Sequence, residues 1–136
     1  AVTNVRDTPV SGSSAVYSNG SYFHPLQKIV DDNRANGKVT ILCPFGWDST
    51  GSTHFTGVNP KSAWWYNDYK TKLRAWATQF SNQPDVWIEV WNEPYAWNRA
   101  NYTDDMWLSD MREMVANIRS TGNNNIVVVP GSEQGQ

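Results

Sequence analysis

Cysteine is almost absent: Cys43 is the single one in 136 residues, so no disulfide can close within the chain. It sits in an apolar, strand-like run and reads as a small core residue. Neither sign of charge dominates. Eleven basic against thirteen acidic side chains leave a formal net charge of −2 and no basic stripe, which argues against a nucleic-acid partner. No apolar run approaches the roughly 20 residues of a membrane span. No basic-then-apolar signal segment opens the chain, and no membrane partner is expected. Position 1 is Ala rather than Met, so something is expected to have been removed or never included. The two histidines, His24 and His54, lie far apart without metal-ligand spacing, and no metal site is expected. No glycine-rich phosphate turn follows any apolar run, so a dinucleotide fold is disfavoured and no cofactor is implied.

Aromatic residues, by contrast, are abundant: eight tryptophans and six tyrosines. Several fall in expected connections (Trp47, Tyr95, Trp97 and Tyr102) rather than at helical core spacing. Rings placed there suit a flat, partly apolar ligand such as a sugar face. An interface, with a partner or with further parts of the same protein, suits them equally well.

Read in order, Ala1 to Arg6 is a short strand candidate, and Asp7 to Tyr22 is a Ser-, Gly- and Asn-rich loop without period. A helix is expected from His24-Pro25, with Leu26, Ile29, Val30 and Asn33 on one face, and Asn36-Gly37 as its stop. Lys38 to Phe45 is a near-continuous apolar run of the kind that forms a parallel strand covered on both faces. A long polar segment from Gly46 to Pro60 carries Trp47, Asp48, His54 and Phe55. A second helix from Lys61 to Phe80 spaces Trp65, Tyr69, Leu73, Trp76 and Phe80 as a core face. A third begins at Thr103, a good cap, with Asp104 and Asp105 in its first turn and an apolar stripe from Trp107 to Ile118. Gly122 ends it, before the apolar strand Ile126-Val127-Val128-Val129-Pro130. Such alternation calls for parallel strands with right-handed crossovers. The fold class expected is therefore α/β, one domain over residues 1–136, forming part of a TIM-type (β/α) barrel. Acids and aromatics after the strand ends at 46–48, 92–97 and 131–134 favour the barrel over an open doubly wound sheet.

One stretch organises the rest: Val86-Trp87-Ile88-Glu89-Val90-Trp91-Asn92-Glu93-Pro94-Tyr95. It is rich in β-branched and aromatic residues after a Gln83-Pro84-Asp85 turn, as a buried strand would be. Alternation sets Trp87, Glu89, Trp91 and Glu93 on one face and Val86, Ile88 and Val90 on the other. Pro94 is expected to end the pairing and leave Asn92 and Glu93 at the carboxyl end of the strand. A carboxyl group beside apolar rings there has surroundings that raise its pKa toward working pH; a structural Glu in an ion pair is the plainer reading.

With Trp-Asn-Glu-Pro at 91–94, flanked by Glu89 and Tyr95, the chain resembles glycoside hydrolase family 5, the cellulase and β-mannanase family of retaining (β/α)8 barrels. The resemblance implies that Glu93 is the general acid/base and that Asn92 hydrogen-bonds the 2-hydroxyl of the sugar being cleaved. It matches Glu89 to an inward acid of the family's fourth barrel strand and Arg6 to an arginine on its second. Where the family often has a His near the end of its third strand, this chain has Phe45-Gly46-Trp47-Asp48. The order of elements corresponds to barrel strands two to five. The family's nucleophile, a Glu on strand seven, then has no counterpart in these residues.

That absence bears on the chemistry. A retaining mechanism places two carboxyl groups roughly 5–5.5 Å apart, an inverting one roughly 6.5–9.5 Å. The acids available to Glu93 are Glu89, Asp48 and Glu133. Glu89, four residues back, falls roughly 13 Å down the strand by its rise, and neither of the others is expected to be the nucleophile. The leading expectation is a glycosidase that cleaves β-1,4-linked polysaccharide, cellulose-like or mannan-like, secreted and bacterial. Trp47, Tyr95 and Trp97 would stack on sugar rings, with Asp48 and Glu133 at the groove. The alternatives are a non-catalytic carbohydrate-binding half barrel and a structural fragment. Half a barrel leaves sheet edges open, and a homodimer related by a two-fold axis would close it if these residues are the whole protein.

Overall fold

The computed structural model describes residues 3–4, 15–16, 22–23, 25–42, 44–45, 61, 66–91 and 103–131. In chain order the elements are β1 (Thr3–Asn4), β2 (Ala15–Val16), β3 (Tyr22–Phe23), α1 (Leu26–Ala35), β4 (Thr40–Leu42), β5 (Pro44–Phe45), α2 (Tyr66–Gln79), β6 (Val86–Glu89), α3 (Asp104–Arg119) and β7 (Val127–Val128). A parallel sheet runs β4-β6-β7, with Ile41 opposite Trp87 and Glu89 opposite Val128. The expected strand over 38–45 is split: its first part, β4, pairs with β6, and its second part, β5, pairs in parallel with β1. The stretch read as a plain loop, 7–22, instead contributes β2 and the start of β3, which pair antiparallel. Strand–helix alternation with parallel pairing makes this an α/β fold.

The helices form because their apolar positions recur at helical spacing and their ends carry stop signals. Pro25 is the cap residue of α1 rather than part of its first turn, and Leu26 and Val30 are buried. Gly37 (φ +67°) and Gly122 (φ +84°) follow α1 and α3 in the left-handed region, where a side chain would strain the backbone. On α2, Tyr69, Leu73, Trp76 and, just past its end, Phe80 are all essentially inaccessible, as their spacing predicts. On α3, Thr103 accepts a hydrogen bond from the Met106 N–H at 3.3 Å, and Met111, Met114 and Ile118 face inward. Trp65 lies outside the described residues.

Two buried clusters hold helices to sheet. Ile88, Val90 and Trp91 pack against α2 and α3, while Val86 and Leu42 pack with Leu26, Val30, Trp76 and Phe80. Fully burying each such side chain contributes roughly 1.5–3 kcal/mol before entropy is set against it. The opposite face of the sheet is not covered in the same way. Val39 and Ile41 are 47% and 48% exposed and Ile126 is 53% exposed, with Trp87 and Glu89 half-buried beside them. Over 38–42, the part of the 38–45 run whose burial is described, the expectation of cover on both faces is thus corrected to one face. The last strand is shorter than its apolar run, because Ile126 and Val129 fall outside the pairing.

The amino ends of the strands are closely stitched. Asn125, almost fully buried, donates from Nδ2 to the carbonyls of Phe80 (2.7 Å), Gln83 (2.9 Å) and Val86 (3.1 Å). Asn123 donates to the Ala77 carbonyl at 2.8 Å and accepts from the Asn125 N–H at 2.8 Å. Arg119 closes the turn by donating to the carbonyls of Asn123 and Asn125, both at 2.9 Å. Arg34 makes a two-pronged contact with Asp85 (2.8 Å each), which raises the guanidinium pKa and lowers that of the carboxyl. These bonds answer the carbonyls that a helix end and a turn leave unpaired.

Candidate active site

The carboxyl ends of the strands form the other rim, and β6 ends there earlier than the sequence pattern suggests. Pairing stops at Glu89, not at Pro94, for a reason found on the neighbouring strands. In the β4–β6 register, Thr40 N–H donates to the Asp85 carbonyl; two steps of two residues further on, the donor to the Glu89 carbonyl would be residue 44. That residue is Pro44, which has no N–H. On the other side, Ile88 and Val90 N–H groups donate to Ile126 (3.2 Å) and Val128 (3.1 Å) carbonyls. The same register assigns the Val90 carbonyl to residue 130, and that is Pro130. Both ladders therefore run out of donors at one height.

Val90 lies at a bend, and there the two-residue alternation is lost. Trp91, expected on the face of Glu89, turns instead into the helix-side core with 1% of its surface exposed. Its ring lies 4.6 Å from that of Tyr69, tilted by 55°, and 6.4 Å from that of Tyr66. The Tyr69 hydroxyl donates to the Val90 carbonyl at 2.5 Å, in a fully buried setting. Trp87 and Glu89 keep the predicted common face, half-buried on the uncovered side of the sheet.

Behind Trp91 is a charged network between α2 and α3. Glu113 accepts from Lys70 (2.5 Å), from Lys61 (2.9 Å) and from the Tyr66 hydroxyl (3.3 Å), and Lys61 also reaches the buried Asp110 at 3.0 Å. Hydrogen bonds from Lys70 and then Lys61 hold the Glu113 carboxyl down at about 2, and hydrogen bonds to Glu113 and then Asp110 raise the Lys61 ammonium. Burial pushes the Tyr66 phenol up, and the negative charges of Glu113 and Asp110 add to this. Lys61, which follows the 46–60 segment in sequence, is thereby fastened to the middle of α3.

Of the residues singled out from sequence, Glu89 alone is described. Arg6, Trp47, Asp48, Asn92, Glu93, Tyr95, Trp97 and Glu133 lie outside the described residues. What the sequence reading missed is the support: Tyr69 as a hydrogen-bond donor, and Tyr66, Lys61, Lys70, Asp110 and Glu113 as a set. The one available signal was a proline in the apolar run of each neighbour of the central strand, Pro44 and Pro130. Among the described residues, no group of three or more His, Cys, Asp or Glu is placed to hold a metal ion. No helix among them is long and apolar enough to cross a membrane.

The family model for cellulase, glycosyl hydrolase family 5, matches residues 4–136. The chain belongs to glycosyl hydrolase family 5. Solved structures of similar fold include that of XacCel5A in complex with cellopentaose. It is 20% identical, with a TM-score of 0.59 over 81% of this chain and 32% of that one. A GH5-4 broad specificity endoglucanase from an uncultured bacterium is 17% identical, with a TM-score of 0.58 over 85% of this chain and 39% of that one. At such identity the likeness is one of fold. The family 5 chain described here spans about a third of the length of XacCel5A.

Proposed function

We propose that this chain forms part of a (β/α) barrel glycosidase acting on β-1,4-linked polysaccharide, with Glu93 as its general acid/base. The observation that carries the reading is family 5 membership over 4–136 with Trp91-Asn92-Glu93-Pro94 leaving the carboxyl end of β6. Carboxyl ends of parallel strands are where such barrels place their chemistry. Glu93 protonates the glycosidic oxygen as the bond from the anomeric carbon breaks, then takes a proton from the water that completes hydrolysis. Asn92 holds the 2-hydroxyl of the reacting sugar, and Trp47, Tyr95 and Trp97 stack on neighbouring rings. Arg6, Asp48 and Glu133 belong to the groove, and Glu89 lies on the inward face below it. The second carboxylate comes from the strands that complete the barrel. The uncovered sheet face around Ile41, Trp87 and Ile126 supports further strands closing over it, supplied by a longer chain or by a second copy in a homodimer. A polymeric substrate is met outside the cell, which favours a secreted enzyme.

Reducing-end release from carboxymethylcellulose and mannan, by the full-length protein and its Glu93→Ala variant, tests this. The expected loss is on the order of 10²–10⁴-fold. Retained turnover in Glu93→Ala overturns the assignment, and binding without any turnover points to a carbohydrate-binding module instead. Sedimentation of the protein decides between a second copy and a longer chain as the source of the remaining strands.

A further inference from the structure

We infer that Tyr69, a helix residue with no place in the sequence motif, is a positioning residue for the catalytic rim; the inference rests on Glu93 being the acid/base. Three observations converge on it. The Val90 carbonyl has lost its ladder donor, because register assigns it to Pro130. The Tyr69 hydroxyl supplies the replacement at 2.5 Å, buried away from water. Its ring also lies against Trp91, the last described residue before Asn92 and Glu93, at 4.6 Å between centroids.

A strand tip zipped on both sides points where its sheet points. Here the zip is released on both sides at once, by Pro44 and by Pro130, and the direction of the next residues falls to whatever grips Val90 and Trp91. That grip comes from α2. Tyr69 takes the carbonyl and lies against the indole, and Tyr66, tied to Glu113, is also near that ring at 6.4 Å. A general acid must meet its leaving-group oxygen within hydrogen-bond reach, and small misplacements are costly in rate. Tyr69 acts through the backbone and not by touching substrate.

Leaving-group dependence separates this role from simple loss of fold. Proton donation matters for a sugar leaving group and hardly for dinitrophenolate. For Tyr69→Phe in the full-length enzyme, kcat/KM on cellotetraose should fall by about 10-fold or more, while kcat/KM on dinitrophenyl β-cellobioside changes by less than about two-fold. An equal fall on both substrates, or none on either, overturns the proposal. Trp91→Phe should show the same split and serves if Tyr69→Phe does not fold. Glu93→Gln run alongside keeps the two ideas apart: if it leaves cellotetraose turnover intact, the acid/base reading fails on its own. Amide hydrogen exchange across 90–93 gives a readout free of the chemistry. It should accelerate by about 10-fold in Tyr69→Phe, and unchanged exchange overturns the positioning role.

Discussion

The two ends of the central sheet are built on different principles. At the amino ends, backbone carbonyls are answered redundantly: Asn125 serves three, Asn123 and Arg119 three more, and Arg34 braces the Asp85 turn. At the carboxyl ends, two prolines remove donors, and one phenol takes up the Val90 carbonyl. Among the described residues, many side-chain bonds hold the first end and few hold the second. On the proposed function, stability and placement of the reacting group are then assigned to opposite ends of the same strands.

The largest effect that sharpens this contrast is expected at the amino end. Asn125→Ala strips the donor from three carbonyls in a nearly sealed site and should destabilise by about 3 kcal/mol, seen as a lower denaturant midpoint. Activity per folded molecule should not change; a rate defect without a stability defect would break the comparison. Tyr69→Phe is expected to invert this pattern. One buried carbonyl loses its partner, at about 1–2 kcal/mol, while turnover of poor leaving groups suffers disproportionately. The smallest effect belongs to the α2–α3 charge network. Glu113 is held below its ordinary value of 4.5, at about 2. Its contribution to stability is therefore fully present above about pH 4.5 and is lost as pH falls toward about 2. Lys61 is 40% and Glu113 33% exposed, so screening keeps the contribution under about 1 kcal/mol. Denaturation of wild type and Glu113→Gln should differ at pH 6 and converge by about pH 2; a constant gap would assign the effect to packing instead.

Much of this fold was legible in the residues themselves. The helical stripes, the caps at Thr103, Gly37 and Gly122, and the parallel α/β alternation follow from period and turn chemistry, and the structure has them. The error along 86–95 has one cause. Alternation along 86–95 assumes an unbroken ladder, and whether a ladder continues depends on the partner strands, not on the strand being read. Pro94 drew attention as the obvious terminator. The effective ones were Pro44 and Pro130, which lie far away in sequence and matter only once register is known. Trp91 consequently appears on the face opposite to the one its parity predicts. The motif carrying Asn92 and Glu93 was readable as a resemblance. Its support was not, because Tyr69 looks like any core aromatic, and Lys70 and Glu113 are 43 positions apart.

Paired prolines at one height of a sheet also bear on how such a protein changes over time. Once the tip of β6 is unfastened from both neighbours, the connection that follows can lengthen, shorten or be exchanged without shifting the register of any strand below it. The segment that leaves β6 is then free to vary on a frame that stays fixed, without refolding the sheet.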